Sequence, residues 1–112
     1  NGTLAGGAFG MALACDIRLS VPSAQFFYPV MRLGFLPQPS DPKRLSQLIG
    51  PARAKMILMA GEKIEASEAL SWGLVDRIVD PDDLIPAARA LSAQTLAAEA
   101  SHIAGIKSMI TS

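Results

Sequence analysis

The stretch Asn1-Gly2-Thr3-Leu4-Ala5-Gly6-Gly7-Ala8-Phe9-Gly10-Met11-Ala12-Leu13-Ala14-Cys15-Asp16 governs how the rest of the chain is read. Glycines feed straight into an apolar, helix-forming run. Gly6 and Gly7 carry no Cβ, so a ligand can come close to the backbone there. The unpaired N–H groups and positive dipole end of a helix starting near Ala8 favour negative charge, developing oxyanions included. The same Gly-Gly pattern serves tight helix packing with no ligand at all, so these residues by themselves leave both uses open.

Composition narrows the partners. With 112 residues, 50% hydrophobic, and ten basic against ten acidic side chains, the chain reads as soluble, globular and at most one domain. Such a chain buries roughly 60–70% of its unfolded surface. No basic run offers an electrostatic footprint for nucleic acid or an anionic membrane. The uncharged run ending at Asp16 falls short of the roughly 20 residues that span a bilayer, and no basic stretch precedes it, so neither a membrane span nor a signal peptide is expected. Cys15 is the single cysteine and has no metal-ligand spacing around it; the expected role is a small buried hydrophobe in a cytoplasmic protein. Opening at Asn1 inside a motif and stopping at Ser112 in a helical pattern, the sequence is expected to be a fragment.

Helices and short strands alternate along the middle. Strands are expected over 14–19, 24–28 and 74–79, with Pro22-Ser23 as a turn between the first two. Pro29, Pro37, Pro39 and Pro42 exclude regular structure from about Pro29 to Ser40 apart from a short piece over 30–33, which makes this segment a spacer or a pocket wall. Pro42 suits the first position of a helix capped by Asp41, running to Ile49 and stopped by Gly50. A further helix over 51–60, with Met56, Ile57, Leu58 and Met59 apolar nearly all round, is expected to be largely buried, its methionines filling the core. Helices follow over 67–72, closed by Gly73, and after Asp80-Pro81-Asp82-Asp83, where Leu84, Ala87, Ala88 and Leu91 mark one face. A last helix, capped by Ser101, carries Ile103, Ile106 and Ile110.

Taken in order, Asn1-Gly2, Ala5-Gly6-Gly7, Leu13-Ala14-Cys15-Asp16, Ala24-Gln25-Phe26, Leu33-Gly34, Arg44-Leu45, Ile49-Gly50, Ala66-Ser67-Glu68-Ala69-Leu70 and Gly73-Leu74-Val75 resemble the crotonase superfamily, the enoyl-CoA hydratase/isomerase family. The resemblance covers nearly the whole chain and includes the spacing between its pieces. It implies an α/β fold: the C-terminal part of a spiral of ββα units over 1–80, followed by a helical C-terminal segment over 81–112. It also implies an acyl-CoA thioester as ligand, with coenzyme A present only as part of the substrate, no separate cofactor and no metal, a place in lipid metabolism, and assembly as a homotrimer or hexamer. In that family two backbone N–H groups hold an enolate-type oxyanion. One corresponds to Gly7, with Gly6 beside it; the other belongs to a part of the fold that precedes this sequence.

The same resemblance marks where the chain departs from its pattern. Hydratases of the family carry glutamates at the positions of Gly10 and Val30, and neither glycine nor valine can activate water or protonate a carbon. A standard hydratase is therefore not expected, and an isomerase, a lyase or a binding protein without turnover remains. Substitutes for the missing acids are few. Asp41 closes the proline-rich loop and reads first as a helix N-cap, second as a pocket carboxylate. Tyr28, beside the second vacated position, reads first as core and second as a pocket phenol. Phe35 and Leu36 on the same loop are candidates for substrate contact. Lys107 reads as a solvated helix lysine or as a partner for a CoA phosphate across a subunit boundary. Arg32 and His102 read as surface residues, Asp16 as a structural hydrogen-bonding group, and Trp72, Phe26 and Phe27 as core.

Overall fold

The structure, a computed structural model, describes residues 3–111. Strand β1 (Thr3–Ala5) runs without an intervening residue into helix α1 (Gly6–Leu13). The helix therefore begins two residues before Ala8, at the glycines themselves. Strand β3 (Gln25–Phe27) lies between β1 and β4 (Ile64–Glu65), parallel to the first with Leu4 opposite Phe26 and antiparallel to the second with Phe26 opposite Ile64. Alternation along β3 turns Phe26 into the core while Gln25 and Phe27 stay half-exposed. A second small sheet pairs β2 (Leu19–Ser20) with β5 (Arg77–Ile78) in parallel.

Between the sheets' strands lie α2 (Val30–Leu33), α3 (Asp41–Ile49), α4 (Pro51–Leu58) and α5 (Ala66–Trp72). The positive φ of Gly34 and Gly73, 78° and 85°, ends α2 and α5 in left-handed caps that side-chain-bearing residues adopt only at a cost. The core gathers Phe9 and Leu13 from α1, Phe26 from β3, Leu45 and Ile49 from α3, Ala54 and Ile57 from α4, and Ile64 from β4. Phe9 meets Phe26 edge-on at 6.2 Å between ring centroids and Tyr28 at 5.8 Å. Burying one such aromatic side chain contributes about 2–3 kcal/mol. A 3-10 turn over Pro81–Asp83 leads into α6 (Leu84–Ala97), and α7 (Ala100–Thr111) follows; neither long helix has a buried residue.

Several sequence-based expectations are corrected. The strand expected over 14–19 shrinks to β2, because Ala14 and Cys15 continue the winding of α1 through N–H bonds to Gly10, Met11 and Ala12 carbonyls. The strand over 74–79 shrinks to β5, since Leu74 and Val75 donate back to the Ala69 carbonyl in the turn that closes α5. Helix α4 buries only Ala54 and Ile57; Met56 and Met59 are 43% and 59% exposed, so they do not fill the core. Cys15 is exposed rather than buried. Ser101 lies inside α7, and the Glu99 carbonyl accepts the first N–H bonds of that helix.

Candidate functional site

Helix α1 presents its N-terminus at the end of the parallel β1–β3 pair, with Gly6 and Gly7 as its first two residues. The first four N–H groups of an α-helix have no partner within the helix, and both glycines are among them. Gly10 lies one turn further on, on the same side of the helix as Gly7. Position 10 is buried.

Helix α3 approaches that side of α1. Asp41, Leu45 and Ile49 are its buried residues, four positions apart, and they form one stripe facing the core. This corrects the N-cap expectation: Ser40 holds the cap position, Asp41 is the first helical residue, and no side chain makes a capping hydrogen bond there. The carboxylate of Asp41 points instead to Tyr28, whose hydroxyl donates to Oδ2 at 2.6 Å. Asp41 is 4% exposed and Tyr28 3%. The Gln38 N–H donates to the Tyr28 hydroxyl over a longer 3.4 Å. Burial raises the pKa of Tyr28 above the ordinary 10.0, and the hydrogen bond to the Asp41 carboxylate raises it further, because both favour the neutral phenol.

The carboxylate also fills a gap in α1. A Cβ built on Gly10 would fall 2.8 Å from both Cγ and Oδ1 of Asp41, and nearer still to Oδ2. Only glycine at position 10 admits this carboxylate as it stands. In sequence Gly10 reads only as a lost glutamate, whereas in the structure Asp41 occupies the vacated space. The four-residue spacing from Asp41 to Leu45 and Ile49 was the signal that could have found it.

Tyr28 and Val30 line an open recess of about 230 Å³ whose outer wall is made by Leu33, Phe35 and Leu36. Phe35 and Leu36 are 60% and 89% exposed, so the loop holds apolar side chains out into solvent beside the recess. The fold thus brings Tyr28, Val30, Phe35 and Leu36 together. Lys107 is elsewhere: its Nζ lies 2.7 Å from Asp16 Oδ1, an exposed ion pair that ties α7 to the turn after α1. Arg32 and His102 are exposed. Arg18, by contrast, holds the start of β2 against the α5–β5 turn, donating to the Leu74 and Cys15 carbonyls and pairing with Asp76. Phe26 is core, while Trp72 and Phe27 are half-buried beneath Arg53 and Lys63. Among the described residues no group of three or more His, Cys, Asp or Glu could hold a metal ion.

Comparison with known proteins agrees with this architecture. The family model for enoyl-CoA hydratase/isomerase matches residues 1–112. Carnitinyl-CoA dehydratase of Salmonella arizonae is 36% identical over 107 residues, covering 96% of this chain and 41% of that protein. Crotonyl-CoA hydratase of Syntrophomonas wolfei is 37% identical over 116 residues, covering 99% and 45%. The crystal structure of a putative enoyl-CoA hydratase from Thermobifida fusca in complex with acetoacetyl-CoA superposes with a TM-score of 0.91 at 33% identity, over 98% of this chain and 43% of that one. The chain therefore spans less than half the length of these relatives. Its fold is that of the C-terminal part of the crotonase spiral with trailing helices, and the chain belongs to the enoyl-CoA hydratase/isomerase family.

Proposed function

We propose that this chain forms part of an acyl-CoA enzyme that polarises a thioester carbonyl at the Gly7 N–H and stabilises the enolate oxyanion formed from it. The observation that carries this is the direct passage of β1 into α1 at Gly6-Gly7, which leaves the first N–H groups of an eight-residue helix at a strand end. Backbone donors fixed in this way need no reorganisation as charge develops, and losing one typically costs about 3–4 kcal/mol of transition-state stabilisation. Acetoacetyl-CoA bound to the Thermobifida fusca relative supports the ligand class.

With glycine at position 10 and valine at 30, the reaction is of isomerase or lyase type rather than hydration. Phe35 and Leu36 flank the acyl chain on the loop wall. Lys107 contacts a CoA phosphate only by exchanging its Asp16 partner. The enzyme of this reading takes no separate cofactor, works in the cytoplasm in lipid metabolism, and assembles as a homotrimer or hexamer through α6 and α7, whose apolar residues Ile85, Leu96, Ile106, Met109 and Ile110 are exposed. A second reading, thioester binding without turnover, rests on the same glycine and valine.

Calorimetric titration of the full-length protein with acetoacetyl-CoA and with free CoA, followed by a turnover panel of acyl-CoAs, tests both. Preference for the thioester with turnover supports the enzyme, and thioester binding with no turnover supports the second reading. Equal binding of thioester and free CoA overturns the Gly7 assignment.

A further inference from the structure

The buried Asp41 carboxylate is more than the fold requires. Its place on the core stripe of α3, in step with Leu45 and Ile49, is one that an apolar side chain would fill. A carboxylate taken out of water is costly unless well compensated. Among the described residues the compensation is one hydrogen bond, from Tyr28, together with a place in the first turn of α3, where the dipole favours negative charge. Among the described residues no salt bridge reaches Asp41. Glycine at position 10 is unfavourable too, relative to alanine in a helix interior. Each residue is a cost alone; together they set a carboxylate against α1 three residues, about 4.5 Å of rise, from Gly7.

We propose that Asp41 is the proton-transferring carboxylate of this site, carried by α3 into the space that a side chain at position 10 would take, with Tyr28 as its positioning residue. The proposal rests on Gly7 as the oxyanion donor. Its substrate is an acyl-CoA with an acidic α-carbon, of which a 3-enoyl thioester is the simplest case. Asp41 takes the α-proton. The C–H electron pair forms the new bond to the carbonyl carbon, and the carbonyl π pair moves to oxygen, held by the Gly7 N–H. The extended dienolate then collapses with protonation at the γ-carbon by the neutral Asp41 carboxyl, which gives the 2-enoyl thioester and regenerates the carboxylate. No co-reactant is consumed.

The test uses the full-length protein, with exchange of the α-hydrogens of butanoyl-CoA in D2O followed by NMR, and 3-hexenoyl-CoA isomerisation followed by absorbance. Asp41→Asn should slow both by about 10²-fold or more, with acetoacetyl-CoA affinity unchanged. Tyr28→Phe should lower kcat by less and leave KM alone. Should Asp41→Asn fail to fold, Gly10→Ala carries the same test, since it displaces the carboxylate without removing it. Wild-type exchange rates in a folded Asp41→Asn or Gly10→Ala variant overturn the proposal and leave the Gly7 assignment standing. Acetoacetyl-CoA binding without any exchange by the unmodified protein also overturns it. Failure of the unmodified protein to bind acetoacetyl-CoA overturns the Gly7 assignment, and this proposal with it.

Discussion

Asp41 and Gly10 occupy one volume: a Cβ on Gly10 would stand 2.8 Å from the Asp41 Cγ, well inside van der Waals contact. Two helices are thereby keyed to each other, since α1 can carry no side chain at this point while α3 carries this carboxylate. Tyr28, packed on Phe9 of α1, completes the contact from the end of β3.

The pairing reverses the ordinary expectation for a helical glycine. Gly10→Ala on an otherwise undisturbed α1 should stabilise by about 1 kcal/mol. With Asp41 in place it should destabilise by about 1–3 kcal/mol, because Asp41 has to move. In an Asp41→Ala background the same change should return to neutral or stabilising, a coupling of about 1–4 kcal/mol read from denaturant midpoints of the four proteins. Additive effects would show that the two residues do not share this space.

Alkaline pH should loosen the same contact. Tyr28 is the single tyrosine, and its folded pKa lies above the ordinary 10.0. The neutral phenol is favoured by folding, so its contribution is complete below about pH 10 and is lost as pH rises from there through the folded pKa. Melting temperatures of the full-length protein should fall over that window more steeply than those of Tyr28→Phe, which forfeits about 1.5–3 kcal/mol of charge-assisted hydrogen bond at neutral pH. In Asp41→Asn, ultraviolet titration should find tyrosinate forming at lower pH than in the unmodified protein. Parallel curves for the unmodified protein and Tyr28→Phe would refute the assignment.

Much of this architecture was legible in the sequence, and the reasons differ by element. Gly50 and Gly73 both have positive φ, and each punctuates a helix where the glycine predicted a stop. Proline spacing located the loop bearing Phe35 and Leu36. Strands fared worse, because β2 and β5 have only two residues each and are defined by pairing with each other, which no local pattern encodes. Asp41 was misplaced because Pro42 is at home near a helix start and invites an acidic cap before it. A tertiary acceptor role for the carboxylate, serving Tyr28 across the loop, outweighed that local preference.

Hydration of crotonyl-CoA by the full-length protein should be slow by orders of magnitude relative to a family member with both glutamates, since general acid and base groups typically contribute about 10²–10⁴-fold each. Gly10→Glu with Val30→Glu should not restore it while Asp41 remains, because the new side chain at position 10 would begin inside the Asp41 carboxylate. Adding Asp41→Gly should be needed for any recovery. Efficient hydration by the unmodified protein would remove the basis for an isomerase or lyase assignment.

Residues 1–112 expressed alone should self-associate. Neither α6 nor α7 has a buried residue, and Leu96, Met109 and Ile110 are 80%, 83% and 77% exposed. Ile17, 55% exposed and lining a recess of about 240 Å³, adds further open apolar surface. Exposed apolar patches of this kind drive association. Sedimentation velocity should report oligomers or aggregates, and a monodisperse monomer with sharp, dispersed NMR signals would contradict the expectation.

Gly7 can be tested as a backbone donor separately from its packing. Gly7→Pro deletes the N–H and fixes φ, so it should abolish turnover in the full-length protein, but a damaged fold would give the same result. Gly7→Ala keeps the N–H and adds a methyl group where the thioester has to approach. Alanine is favoured over glycine in a helix, so for a residue of α1 the melting temperature should hold or rise slightly while acetoacetyl-CoA affinity falls. Opposite behaviour, with stability lost and thioester binding intact, would make Gly7 a packing glycine, and the oxyanion would then need another donor than the first turn of α1.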